Sequence, residues 1–247
     1  MDFIQLKEDD VVVQNGATSA VGLSVIQIAK ARGIKTVNII RNRTNFSQVK
    51  QELMDLGATV VLPDDMVRDK EYVKKAMTEA GLHDKEIRLA LNCVSGQSTM
   101  DLCKFLTPNS GATIVTYGGM SKKPVTVGTG AFIFNDITLK GFWVTRWFKE
   151  HHKSVERQVM HSYIFHLIAE GKLKIPVTKC LVQTRSDIQT AVDLVNTAQR
   201  GAKVLLYFPP DTATTDGSSG DSNNNSTGGD ASNGSSGNGS SSGSNTN

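Results

Sequence analysis

Short apolar runs recur along this chain, separated by segments whose apolar residues fall three and four positions apart. The runs are Asp10–Gln14, Thr36–Ile40, Thr59–Leu62, Leu89–Val94, Thr113–Tyr117 and Ile137–Val144. Continuous, rich in β-branched residues and too short for helices, they predict parallel strands covered on both faces. Val21, Val25, Ile28 and Ala29 predict the inward face of the first intervening helix. Val49, Leu53 and Leu56 predict that of the second, which Gly57 is placed to end. Six strands in this rhythm predict an α/β fold, a doubly wound parallel Rossmann sheet with its ligand at the carboxyl ends of the strands.

After the sixth strand the pattern changes. A long amphipathic helix is predicted over about Lys149–Glu170, with Val155, Val159, Tyr163 and Leu167 along one stripe and Gly171 as its end. A strand at Val177–Val182, a helix opened by Ser186 and Asp187, and a last strand at Lys203–Phe208 follow. This unit does not continue the six-stranded sheet. The stretch 211–247 is Gly, Ser, Asn, Thr and Asp, broken only by Ala213 and Ala231. Nothing in it offsets the entropy of ordering, so a disordered tail is expected. The predicted organisation is a Rossmann domain over 1–150, a helix and return strands over 151–210, and the tail.

The junction of the first strand and helix carries candidate chemistry. Val11-Val-Val-Gln-Asn-Gly-Ala-Thr-Ser-Ala-Val-Gly22 passes from a buried strand through small residues directly into Leu23–Arg32. Small residues let a backbone approach a pyrophosphate, and free amides at a helix start face its charge. The turn departs from G-x-G-x-x-G, with Ala20 where a glycine is expected, so on its own it also fits a plain tight turn. The second strand ends in Arg41-Asn42-Arg43, where an NAD site usually has an acid for the ribose 2′-hydroxyl. Two guanidiniums suit a 2′-phosphate, or they are a solvated strand end; combined with the strand–helix alternation they predict NADP(H) binding.

Composition narrows the partners. A net charge of +3 fits anionic cofactors and acyl carriers and does not argue for nucleic acid. Three widely spaced cysteines, Cys93, Cys103 and Cys180, match neither a zinc pattern nor a disulfide framework and predict a reducing compartment. Cys93 and Cys103 read as buried packing residues. The five histidines, His83, His151, His152, His161 and His166, read as surface or packing residues rather than metal ligands. No apolar run is long enough to cross a bilayer, so no membrane partner is expected. Met1–Asp10, with its acids, is unlike a secretory or transit sequence.

Five blocks in order then become recognisable: the cradle with Asn15 and Val21-Gly22, Arg41-Asn42-Arg43, Leu91-Asn92-Cys93-Val94, Thr116-Tyr117-Gly118-Gly119-Met120, and Gly141-Phe142-Trp143 before the final strands. Together they resemble the mitochondrial trans-2-enoyl-thioester reductases, zinc-free members of the medium-chain dehydrogenase/reductase superfamily, over nearly all of Asp2–Phe208. The resemblance implies NADPH-dependent reduction of the 2,3-double bond of an enoyl-CoA or enoyl-acyl-carrier-protein in mitochondrial fatty-acid synthesis. A hydride goes to the β-carbon and an acid protonates the α-carbon. It implies that Thr18, Ser19, Ala20 and Val21 contact the pyrophosphate, and that Arg41, Asn42 and Arg43 hold the 2′-phosphate. Tyr117, Gly118, Gly119 and Met120 would lie beneath the nicotinamide ribose, Phe142, Trp143 and Val144 beside the nicotinamide and acyl pocket, and Lys203 would reach the cofactor. Tyr117 also fits a strand-end aromatic, and Phe142 and Trp143 fit core or dimer contacts.

The family carries an N-terminal GroES-like catalytic domain with a proton-donating tyrosine, on which the terminal unit packs. This sequence opens a few residues before the first cofactor strand. None of its four tyrosines (Tyr72, Tyr117, Tyr163, Tyr207) lies in the matching motif, so no catalytic residue is assigned. An exposed apolar surface on the terminal strands is the expectation. The resemblance implies a homodimer through the sheet edge near the sixth strand and a mitochondrial address, or a cytoplasmic one if Met1 is the start. A non-catalytic NADPH-binding module and a quinone oxidoreductase of the same superfamily are the competing functions.

Overall fold

The computed structural model of the chain describes residues 3–197 and 203–209. Its main sheet is built from β1 (Val11–Asn15), β2 (Lys35–Ile40), β3 (Val60–Pro63), β4 (Ile87–Asn92), β5 (Thr113–Thr116) and β6 (Thr138–Gly141). All neighbours are parallel and the order is β3-β2-β1-β4-β5-β6. Strand order reverses between β1 and β4, so connections from these two strands leave in opposite directions and open a crevice at their carboxyl ends.

Period-two alternation in β1 sends side chains to two separate cores. Val11 and Val13 face a core with Val37, Ile39, Leu62, Leu102 and Ile114. Val12 faces the other side, against Ala29 and Ile34. The helices α1 (Ala20–Ala31) and α2 (Phe46–Leu56) cover the second side, where Ile26 and Leu53 are buried with Ile40 and Val61. On the first side lie α3 (Lys70–Glu79) and α4 (Gln97–Cys103), contributing Met77, Leu102 and Cys103. Gly57 ends α2 at φ 111°, a conformation open to glycine, as the sequence predicts.

Four expectations need correction. The buried face of α1 is Gly22, Leu23, Ile26, Gln27 and Ala29, while Val21 is 50% exposed. Val21 stands at the helix start, beyond the carboxyl end of β1, where there is no core for it to enter. The sixth strand ends at Gly141 rather than Val144, because Val144 already opens α6 (Val144–Glu150). The single long helix is two: α6, and α7 (Val155–Ala169), whose N-cap Ser154 accepts a hydrogen bond from the Arg157 amide at 3.3 Å. A serine that caps a new helix start interrupts the old one. The predicted stripe on α7 buries only Leu167; Val155, Val159 and Tyr163 are exposed.

The terminal unit stands apart from the main sheet as expected. β7 (Val177–Leu181) and β8 (Lys203–Tyr207) form a separate two-stranded parallel sheet beside α8 (Arg185–Thr197). Val177, Leu181, Leu205, Leu206 and Tyr207 are exposed, which is the apolar surface the sequence leads one to expect. The connector into β7 is pinned to α1 by Gln27. Its buried amide donates to the Lys174 carbonyl at 3.0 Å and accepts from the Lys174 amide at 2.8 Å. The expected disordered tail, 211–247, lies outside the described residues.

One buried charge fixes α4 against the β3–α3 loop. The Asp101 carboxylate accepts from Arg68 at 3.1 Å through each oxygen and from Lys104 at 3.2 Å. Burial alone would raise its pKa, but these hydrogen bonds and charges hold it below the ordinary carboxylate value. A depressed carboxylate contributes stability above its unfolded pKa and loses it as pH falls through the folded one. Asp101→Asn is therefore expected to cost about 1–2 kcal/mol in urea unfolding at pH 7, with the gap to the parent closing as the pH is taken below about 4.

Candidate active site

The crevice begins at the turn from β1 into α1. Gly16 takes φ 59°, and a Cβ there would stand 2.5 Å from the Cys93 Sγ and 3.0 Å from the Met120 Cε. At Gly22 a Cβ would meet the Ala17 carbonyl oxygen at 2.5 Å, so the first helical turn lies directly on the loop. Ser19 is the N-cap, its hydroxyl accepting from the Gly22 amide at 3.1 Å. Among the described residues the amides of Ala20 and Val21 have no acceptor. Two free amides at the positive end of a twelve-residue helix, next to small residues, form a cradle suited to a phosphate.

The floor of the crevice is a buried hydrogen-bond network. Asn15 Nδ2 donates to Asn92 Oδ1 at 2.8 Å and to Ser98 Oγ at 3.0 Å, and Asn15 Oδ1 accepts from the Cys93 amide at 2.8 Å. Asn92 Oδ1 also accepts from the Ser95 amide at 3.1 Å, while its Nδ2 donates to Thr99 and Thr116 hydroxyls. These bonds set the Cys93–Ser95 turn beside the loop after β5. The Met120 amide donates to the Cys93 carbonyl at 2.9 Å and Ser95 Oγ to the Gly118 carbonyl at 3.3 Å.

Thr18, Ser19, Ala20 and Val21 thus share one crevice with Tyr117, Gly118, Gly119 and Met120. The Tyr117 hydroxyl is buried with no partner in hydrogen-bond geometry. Its polar neighbours are the Cys93 thiol and the Ser19 hydroxyl; burial first, then the thiol, push its ionisation far above the ordinary phenol value. Burial likewise pushes the Cys93 thiol up. An unpaired buried hydroxyl costs about 1–3 kcal/mol unless something supplies a partner. A polar ligand in the cradle would do so, and the residues present therefore fit a dinucleotide.

Arg41, Asn42 and Arg43 are all exposed beyond the end of β2. Neither arginine makes an ion pair or hydrogen bond among the described residues. Asn42 is engaged instead: its amide nitrogen donates to Asp64 Oδ1 at 3.0 Å and its side chain to Asp65 Oδ2 at 2.8 Å. Phe142, Trp143 and Val144 follow β6 further along the same edge. Phe142 meets the Phe3 ring edge-on at 5.9 Å, and Trp143 and Val144 are exposed at 60% and 48%. Lys203 opens β8, and its side chain lies outside what the structure describes.

Sequence reasoning passed over the Cys93 contact with Gly16, the Asn15–Asn92 bond and the two aspartates. Asp64-Asp65 directly after the third strand was a readable signal, since parallel strands bring consecutive carboxyl ends together. Cys93 had no such signal, because its closeness to Gly16 exists only once β1 and β4 pair.

A parallel sheet with this order, and a phosphate cradle at its switch point, define a Rossmann-type nucleotide-binding domain. The sequence profile of the zinc-binding dehydrogenases matches residues 20–160, and the chain belongs to that family. Among the described residues no three or more His, Cys, Asp or Glu side chains gather as zinc ligands. The mitochondrial enoyl-[acyl-carrier-protein] reductase of Dictyostelium discoideum is 43% identical over 205 residues, 83% of this chain and 55% of that protein. A solved complex of Etr1p with NADP and crotonyl-CoA superposes with a TM-score of 0.71 at 33% identity, covering 83% of this chain and 56% of the other. The mitochondrial 2-enoyl thioester reductase Etr1p/Etr2p heterodimer of Candida tropicalis gives a TM-score of 0.70 at 32% identity, over 81% and 56%. The chain spans about half the length of the curated relatives it matches.

The close approach at Gly16 generates a test. Gly16→Ala is expected to cost about 2–3 kcal/mol, from the left-handed backbone and the clash with sulfur. Adding Cys93→Ala opens room for the new methyl, so a double-mutant cycle read by urea unfolding should show about 1 kcal/mol of favourable coupling. Additive losses would show that the two residues do not press on one another.

Proposed function

We propose that this chain binds NADPH and serves the reduction of trans-2-enoyl thioesters, enoyl-CoA or enoyl-acyl-carrier-protein, to acyl thioesters in mitochondrial fatty-acid synthesis. One observation carries the reading: a helix start with two free amides stands in one fold with two unpaired guanidiniums beyond β2. The reductase names of the relatives, the mitochondrial location in those names, and the NADP and crotonyl-CoA of the solved neighbour support it.

In this reading Thr18, Ser19, Ala20 and Val21 hold the pyrophosphate, and Arg41 and Arg43, with Asn42, take the 2′-phosphate. Tyr117, Gly118, Gly119 and Met120 support the nicotinamide ribose, Phe142, Trp143 and Val144 border the nicotinamide and acyl group, and Lys203 reaches the cofactor. When bound, the nicotinamide supplies a hydride to the β-carbon of the enoyl thioester. Tyr117 Oη keeps its proton at every physiological pH, because burial opposes the phenolate. It therefore acts as a hydrogen-bonding group and not as a base. No residue of this chain is assigned the proton that goes to the α-carbon.

The same reading includes a homodimer. β6 is the edge strand of the sheet, and the exposed Phe132, Ile133 and Phe134 lie just before it. An unpaired edge beside apolar side chains is a template for a second copy, and the heterodimer of the Candida tropicalis reductases supports an assembly of two chains. No helix among the described residues is long and apolar enough to cross a membrane.

Titrating NADPH and NADH against the chain tests the cofactor. NADPH should bind at least tenfold more tightly, and Arg41→Ala or Arg43→Ala should each cost about tenfold, roughly 1.4 kcal/mol, for NADPH alone. Equal affinities, unmoved by the substitutions, would remove the 2′-phosphate role. Turnover of crotonyl-CoA with NADPH would exclude the non-catalytic module.

A further inference from the structure

Two carboxylates stand where they should quench the arginines, and they do not. β2 and β3 are parallel with Ile40 opposite Pro63, so the residues that follow, Arg41 and Asp64, leave side by side. Adjacent strands are about 5 Å apart, well within reach of a guanidinium. The ladder extends into the turn, where the Asp64 amide donates to the Ile40 carbonyl at 2.8 Å. Ion pairs of Asp64 and Asp65 with Arg41 and Arg43 are the outcome that charge and distance favour.

Both aspartates hold Asn42 instead. Asp64 Oδ1 accepts from its backbone amide at 3.0 Å and Asp65 Oδ2 from its side-chain amide at 2.8 Å. Asn42 lies between the two arginines, so fixing its backbone and side chain fixes the turn that carries both cations. The other nearby cation is also committed: Arg68 feels the charge of Asp64 but makes its two hydrogen bonds to Asp101.

We propose that Asp64 and Asp65 are positioning residues for phosphate discrimination: by binding Asn42 they keep Arg41 and Arg43 uncompensated and in place for a 2′-phosphate. The proposal rests on the NADPH reading above and deepens it. The acids have a second effect of opposite sign, since they repel a phosphate dianion. All these groups are exposed, so that repulsion is screened within about 8–10 Å at ordinary salt. Bidentate recognition by a guanidinium is lost when its backbone wanders. Positioning outweighs repulsion.

Calorimetric titration with 2′,5′-ADP and with 5′-AMP isolates the 2′-phosphate without calling on catalysis. The parent should prefer 2′,5′-ADP. The double variant Asp64→Ala/Asp65→Ala should lose at least fivefold of that preference, with 5′-AMP affinity unchanged. Asp65→Asn, which keeps an acceptor for Asn42 and removes the charge, should keep the preference within twofold. A merely structural role would weaken both nucleotides alike. An unchanged preference in the double variant, or one that rises more than twofold in either variant because a repelling charge has gone, overturns the proposal. Arg41→Ala separates the two levels: if the parent shows no preference and this variant does not alter it, the NADPH reading itself has failed.

Discussion

The hydrogen bond from Asn15 Nδ2 to Asn92 Oδ1, 2.8 Å long and buried, closes the seam on which the rest of the site depends. It joins the carboxyl ends of β1 and β4, the two strands between which the sheet changes direction. Connections diverge there, and nothing in the backbone ladder beyond the strand ends would hold the two loops at a fixed separation. A pair of amides does so because buried polar groups are costly unless paired. Each asparagine has its donors and acceptors committed to β1, β4, α4 and β5 together. The Cys93 amide is thereby fixed against β1, and Cys93 Sγ lies so close to Gly16 that no side chain could stand there.

Charge is arranged around that seam in two places with opposite bookkeeping. Below the cradle the strand amides Asn15, Asn38 and Asn92 are hydrogen-bonded, with Gln14 Oε1 left without a partner, and the Asp101 carboxylate is enclosed by Arg68 and Lys104. Around the cradle the groups are left open: the Ala20 and Val21 amides, the Tyr117 hydroxyl and the two guanidiniums beyond β2. Buried or half-buried donors without acceptors are rare in folded chains. Tyr117 carries such a group, while Val21 and the two arginines are exposed; together, at the carboxyl ends of the strands, they suit an extended polyanion. The paired carboxylates Asp64 and Asp65 do not contradict this, because their lone pairs are turned on Asn42.

Much of this could be read from residue order alone, and the parts that could not share a cause. Strand and helix rhythm is local, so the six strands, the Gly57 cap and the separate terminal unit follow from periods of two and 3.6 with turn residues between. The break between α6 and α7 was missed because the stripe of Val155, Val159 and Tyr163 lies wholly within α7 and does not mark where that helix starts, while the capping role of Ser154 depends on a single hydroxyl. That stripe misled for a second reason: periodicity marks a face but not whether anything covers it, and those three side chains are exposed. Val21 failed in the same way. The residues that build the floor of the crevice, Cys93 and the Asn15–Asn92 pair, become neighbours only across a parallel crossover of some eighty positions. No window along the chain contains both.

An open row of donors is a departure from the agreement of local and global structure that makes a chain fold, and such departures concentrate where function requires them. The fold tolerates this one because it is placed where the sheet is most strongly tied. Gln14, next to Asn15, donates to the Gly22 carbonyl at 3.1 Å and to Asn38 at 2.8 Å, so the first turn of α1 is bound to both β1 and β2 from beneath. The helix start is then held by its own strand, and its free amides cannot fold back to find an acceptor. The second strand is held in the same network, and its end carries the arginines. The helix amides and the strand end that carries the arginines are therefore held relative to one another before any ligand arrives, which would lower the ordering cost of binding an anion that reaches both.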